Sequence, residues 1–221
     1  MSLLMFSHEA DSILILTDTL ATAPDGEAFV FQSKCLTLPH LNMAVAVTGI
    51  ANLGAAWNEL LRSSAIVQDM EMIDKFAPEQ LSLLWANLML ENYEMEGATA
   101  TIYHFGFETG TEHAVRYVYR SKNGFKSERI EESGFGVKPP PREPFDAPYD
   151  IEAWIALANR VRREQDEAPR PERTSIGGEY FLTLVANRQS KTTRIHRADD
   201  YEAMWSEMVS RLARISAASG K

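Results

Sequence analysis

The residues able to do chemistry in this sequence are few, and most lack the company that chemistry requires. One cysteine, Cys35, directly follows Lys34, and an ammonium touching a thiol would lower its pKa toward reactivity. Consecutive strand residues point to opposite faces, so the pair reads instead as a buried, inert thiol whose neighbouring lysine faces the other way. The five histidines, at 8, 40, 104, 113 and 196, show neither His-x-His nor His-x3-His spacing, and no Cys/His pairs stand at zinc-site intervals. The expectation is no metal and no cofactor. The basic run Arg160-Val161-Arg162-Arg163 is followed at once by Glu164, Asp166 and Glu167, the pattern of a solvated helix face. Tyr117, Tyr119, Trp154, Phe181 and Trp205 read as core and layer packing rather than a base-stacking platform.

Composition narrows the function classes further. The chain has 221 residues, 45% of them hydrophobic, with 22 basic against 31 acidic side chains and a formal net charge of −9. That balance argues against a nucleic-acid partner, because duplex binding needs clustered Lys and Arg to replace counterions. A chain of this length buries roughly 70% of its unfolded surface, enough for a core without disulfide staples. A lone cysteine fits a reducing, cytoplasmic setting. The N-terminal stretch has no basic n-region, and the longest apolar runs, Ile13–Leu16 and Met43–Val47, fall far short of the ~20 residues that span a bilayer. The sequence therefore points away from a membrane.

The elements that must position any site follow from periodicity. Up to residue 49 the apolar runs are short, β-branched and broken by turn residues, which predicts strands. Ser2–Ser7 and Ser12–Thr19 flank a polar turn as a hairpin, Glu27–Cys35 is a further strand, and Met43–Thr48 reads as buried on both faces. Leu53, Trp57, Leu60 and Leu61 define an amphipathic helix opened by Gly49, and a second helix is expected to begin near Pro78. Strands resume at Thr99–Phe107, Ala114–Arg120 and Phe125–Ile130, the last two joined through an Asn123-Gly124 turn. A helix over Ile151–Arg163, strands at Tyr180–Val185 and Thr192–His196, and a helix from Tyr201 to Ile215 complete the chain. Blocks of hairpins separated by helices, without βαβ alternation, predict an α+β fold. The expected form is a four-layer αββα sandwich, two stacked antiparallel sheets flanked by helices, in one domain over residues 1–221.

Four short segments carry a resemblance to a known family. Ile15-Leu16-Thr17-Asp18-Thr19-Leu20-Ala21-Thr22 resembles the Asp-x-Arg-x-Thr segment of proteasome β-type subunits and the related bacterial heat-shock protease subunit. Phe31-Gln32-Ser33-Lys34 is similar to their strand ending in lysine, and Val47-Thr48-Gly49-Ile50-Ala51-Asn52 to their Ala-Gly-x-x-Ala-Asp. Gly177-Gly178 and the strand after it resemble a C-terminal segment of the same family. These are N-terminal nucleophile hydrolases, in which the aspartate lies sixteen and the lysine thirty-two positions after the first residue of the mature chain. Both intervals, counted back from Asp18 and Lys34, arrive at Ser2. Serine is small enough that Met1 is expected to be removed, which makes Ser2 the N-terminal residue.

The resemblance implies amide hydrolysis through an acyl-enzyme, with a peptide or small amide as substrate and self-association as the mode of assembly. Each implied role has a physical reason. A serine hydroxyl needs a base, and a free α-amine, with a reference pKa of about 7.7–8.0, can serve as one through a water. An ammonium from Lys34 would favour alkoxide development, and the Asp18 carboxylate would orient and compensate that lysine. The Gly49 N–H, at the helix start, would stabilise the oxyanion.

The chain also departs from the family pattern. Leu20 stands at the arginine position, Gly134-Phe135-Gly136 at the Gly-Ser-Gly, and Arg173 and Ile176 at a carboxylate and a serine that hold the N-terminus. Glu172 and Ser175 stand beside the latter two positions. These replacements favour an alternative expectation, a catalytically inactive proteasome-like subunit of an oligomer.

Overall fold

The computed structural model describes residues 2–23, 25–63, 69–91, 97–170, 172–187 and 189–219. Among them are four α-helices and twelve strands arranged in three antiparallel sheets. The first sheet is built from β1 (Leu4–His8), β2 (Ser12–Asp18), β10 (Gly134–Lys138), β11 (Glu179–Ala186) and β12 (Gln189–Arg197), in the order β10-β1-β2-β11-β12. The second runs in sequence order through β5 (Cys35–Leu38), β6 (Met43–Gly49), β7 (Ala100–Phe107), β8 (Ala114–Arg120) and β9 (Ser127–Ile130). A short ribbon pairs β3 (Leu20–Thr22) with β4 (Ala28–Phe31). No helix among the described residues is long and apolar enough to cross a membrane.

Side-chain alternation along the central strands sorts the core into three clusters. Odd residues of β6, Met43, Val45 and Val47, pack with Leu53, Trp57 and Leu61 of α1 (Ala51–Ser63) and with Ile73 and Leu81 of α2 (Met70–Glu91). Even residues Ala44 and Ala46 face the first sheet, where Leu4, Ile13, Ile15 and Val185 meet Tyr103, Phe105 and Phe107 of β7. Ala46 pairs with Tyr103 and Ala44 with Phe105. Each small residue makes room for the large ring on the neighbouring strand, so the two sheets can pack closely. On the other side of the first sheet, Leu3, Met5, Leu16 and Tyr180 pack against Trp154, Leu157 and Val161 of α3 (Ile151–Asp166). α4 (Tyr201–Ser219) lies over the ribbon, where Tyr201 stacks on Phe31 at 4.7 Å.

The structure departs from the sequence expectation at several elements, among them the unexpected strands β3 and β10. α2 begins at Met70, not near Pro78, which lies inside the helix. The Asp69 carboxylate accepts from the Met72 N–H at 2.7 Å and so caps the true start, and Met70, Ile73, Ala77 and Leu81 are all buried. The single strand expected over Glu27–Cys35 is two strands in different sheets, interrupted at Gln32-Ser33-Lys34. The Asn123-Gly124 turn is longer than a two-residue hairpin. A 3-10 turn at Ser121–Asn123 leads into Gly124 and Phe125, both at positive φ, with the Phe125 ring buried edge-on to Trp85.

Candidate functional site

The break between β4 and β5 is what turns Lys34 inward. Val47 N–H donates to the Lys34 carbonyl at 3.0 Å and Ser33 Oγ to the Cys35 carbonyl at 2.7 Å, which pins the backbone on both sides of the lysine. Its Nζ donates to Asp18 Oδ1 and to the Leu20 carbonyl, both at 2.6 Å. Asp18, the last residue of β2, is fully buried, and it accepts three hydrogen bonds. Besides Lys34, the Leu3 N–H reaches Oδ1 at 3.0 Å and the Gly177 N–H reaches Oδ2 at 3.1 Å. One carboxylate thus ties together the N-terminal segment, the Gly177-Gly178 turn and the lysine. Burial pushes the Lys34 ammonium below the ordinary lysine range, while the attraction of Asp18 and its hydrogen bond oppose that shift.

Gly177-Gly178 is locked onto the same place. Thr19 and Leu20 N–H both donate to the Gly177 carbonyl, at 3.3 and 3.1 Å. Gly178 has φ +78°, and a Cβ there would lie 2.3 Å from Thr19 Oγ1. No other residue fits. Gly49 has an equally strict reason to be glycine. It ends β6 at φ +100°, and a Cβ would lie 2.0 Å from the Thr99 carbonyl oxygen.

Ser2 is buried, 7% exposed, immediately ahead of β1. Together with Lys34 and Gly49 it lines a cleft of about 110 Å³, whose remaining walls include Gln32, Val47, Gly54 and Asn58. The structure therefore brings Ser2, Lys34 and Gly49 to one cleft, with Asp18 beneath the lysine. Cys35, next in sequence, is buried with its thiol pushed up to about 12 by desolvation, so it is chemically silent.

The positions that depart from the family pattern fall differently. The Leu20 side chain is buried against the Gly177 turn, and it is the Leu20 backbone carbonyl that receives the lysine. Phe135 pairs with Ser7, five residues along the chain from Ser2, and packs against Phe145 and Trp154. At about 3.4 Å per strand residue it is remote from the cleft, so Gly134-Phe135-Gly136 is not the segment beside Ser2. The nearest β10 residue in register is Lys138, opposite Leu4. Arg173 is exposed, and its guanidinium donates to the Ala168 carbonyl at 3.2 Å, just beyond the end of α3. Ile176 is buried with Trp154 and Tyr180. Glu172 is exposed and Ser175 half-buried.

Sequence reasoning misses Asn58. The signal is present in α1, where Ala51, Gly54, Ala55 and Asn58, all in the cleft wall, recur at helical spacing beside the apolar stripe of Leu53, Trp57 and Leu61. A search for large apolar residues alone passes over that second face.

No known family and no curated protein matches the sequence. The fold does have relatives of known structure. It is similar to Anbu (ancestral beta-subunit) from Yersinia bercovieri, with a TM-score of 0.60 at 8% identity over 99% of this chain and 97% of that one. It is also similar to Anbu from Pseudomonas aeruginosa, solved as a helical assembly, with a TM-score of 0.59 at 11% identity over 97% and 95%. These neighbours correct the family expectation. They are Anbu proteins rather than proteasome β-subunits of the N-terminal nucleophile hydrolase family. The physical reason lies in the motifs themselves. Asp18, Gly177 and Gly178 hold β2 against the β11 turn, and Gly49 ends β6 where only glycine fits. Such contacts belong to the fold, and the chain shares with its neighbours a proteasome-like fold.

Proposed function

We propose that this protein is a proteasome-like subunit that self-associates into an oligomer, a single αββα domain acting in a reducing cytoplasm. The observation that carries this reading is the match over 97% of the chain to an Anbu protein solved as a helical assembly. Exposed apolar side chains support it. Trp205, Val209 and Leu212 recur at i, i+4 and i+7 along α4 and are each about half exposed, as is Leu83 of α2. Light scattering on the purified protein is expected to give a mass several times the 24.8 kDa of one chain, rising with concentration. A constant monomer mass at every concentration tested would overturn the proposal.

A second reading adds chemistry to this subunit and is favoured by the cleft that holds Ser2, Lys34 and Gly49. With Met1 removed, the α-amine of Ser2 takes the hydroxyl proton through a water as Oγ attacks an amide carbonyl. Gly49 N–H receives the oxyanion, the C–N bond breaks with the proton passing to the leaving amine, and water then hydrolyses the ester. Intact mass is expected to show loss of Met1, and treatment with an activated ester to add one acyl group at Ser2 but none in Ser2→Ala. The rate should rise with pH as the amine deprotonates, through roughly 7 to 8. Retention of Met1, or equal acylation of Ser2→Ala, rules the chemistry out and leaves the structural subunit.

A further inference from the structure

The wall of the cleft beside Ser2 contains a fully buried polar atom whose partner the described residues do not supply. Asn58 is 8% exposed, and its Oδ1 is buried with no hydrogen-bond partner among them. Two other polar side chains of the cleft are already engaged, since Ser33 Oγ donates to the Cys35 carbonyl and Lys34 Nζ to Asp18 and Leu20. Native proteins pair buried acceptors almost without exception, so an orphan in a cleft wall marks a place where something else completes the bond.

The position of Asn58 is fixed from below. Gly54, one turn earlier on α1, packs so closely on β6 that a Cβ there would lie 2.7 Å from Val47 Cγ2. The helix therefore lies close on β6 at this turn, and Asn58, one turn later, stands in the cleft wall. Around it Val47, Ala51 and Ala55 are apolar, and they suit an aliphatic stem. A carboxamide is the neutral side-chain group that can donate to an amide Oδ1 and accept from the same amide's Nδ2 at once.

We propose that Asn58 is a specificity-determining residue of the Ser2 cleft, selecting substrates with a carboxamide side chain on the acyl side of the scissile bond. This rests on the hydrolysis reading above. A cleft built around a hydrogen bond discriminates sharply against an apolar analogue of similar length, because that analogue leaves the buried group unpaired.

The test uses the full-length protein and two peptide aminocoumarin amides that differ only in glutamine or methionine before the scissile bond. Wild type is expected to favour glutamine by about tenfold or more in kcat/KM. Asn58→Leu should bring that ratio to about one or below, while an activated ester still adds its acyl group at Ser2. Asn58→Asp, which keeps the shape but offers only acceptors, should move the preference toward a lysine substrate, and thermal melting of both variants checks that they fold. Equal cleavage of the two substrates by wild type, or a ratio that Asn58→Leu leaves unchanged, overturns the assignment. So does cleavage of neither by a protein whose Ser2 still takes the acyl group. Cleavage of neither, with no acyl adduct on Ser2, overturns the hydrolysis reading and this proposal together.

Discussion

Asp18 and Lys34 form an ion pair with side-chain exposures of 0% and 5%. Because Asp18 also accepts from two backbone N–H groups, removing its counter-ion leaves a charge that cannot move to water. Lys34→Met is expected to cost about 3–5 kcal/mol, the penalty for an uncompensated buried charge, read by urea unfolding. A loss under about 1 kcal/mol would show that the pair does not anchor this part of the molecule. His104 offers a second residue-scale prediction. It is fully buried, accepts from Trp57 Nε1 at 2.8 Å, and burial holds its imidazole at about 3. In the unfolded chain it would titrate near 6.5. Between those values the unfolded state holds a proton that the native state lacks. Stability should therefore fall as pH drops from about 6.5 toward 3, by on the order of 4 kcal/mol in total. His104→Gln keeps an acceptor for Trp57 and removes the titration, so its acid-unfolding midpoint should lie at lower pH than wild type. At this scale Asp18, Lys34 and Gly49 are legible in the sequence as intervals and residue types. The orphan on Asn58 is not, because whether a buried amide has a partner depends on which elements surround it.

Elements are legible where periodicity alone decides them and obscure where a side chain overrides it. α1 and α3 carry their apolar stripes openly. A start for α2 at Pro78 follows from the fit of proline to a first turn, yet the cap at Asp69 lies nine positions earlier in the chain. The cost of a proline inside the helix is offset by the burial of Met70, Ile73, Ala77 and Leu81 along one face. Asp69→Ala is expected to destabilise the protein by about 1 kcal/mol through loss of this cap, measured by denaturant unfolding, with no effect on acylation of Ser2. The break between β4 and β5 is equally hidden, since Phe31 to Cys35 has no proline or glycine to signal it. Within it Lys34 turns toward Asp18. Gly49→Ala tests the other end of the site. With φ at +100° and the Thr99 carbonyl in the way, it should cost about 3 kcal/mol or more and shift β6 against β7, seen as lost amide protection along the β6–β7 pairing. A variant as stable as wild type would mean that the strand end relaxes freely.

For the whole molecule, the block order of hairpins and helices is already in the sequence, and so are the alternating small and large residues that let two sheets pack face to face. Assembly belongs to this scale as well. Replacing Leu212, half exposed on α4, by glutamate is expected to leave the melting temperature within about 2 °C, because surface substitutions rarely exceed about ±0.5 kcal/mol. If α4 lies between subunits, the same change lowers the mass seen by light scattering; an unchanged mass moves the contact to another face. By itself the sequence determined the strand and helix blocks, the acidic balance and the residue types at Ser2, Asp18, Lys34 and Gly49, because these follow from local periodicity and composition. Only the tertiary structure decided that Phe135 stands away from Ser2, that Arg173 bonds the end of α3, that Asn58 lines the Ser2 cleft, and that Gly49 and Gly178 are held in close contacts. Those facts depend on register and on the packing of segments distant along the chain, which no local pattern records.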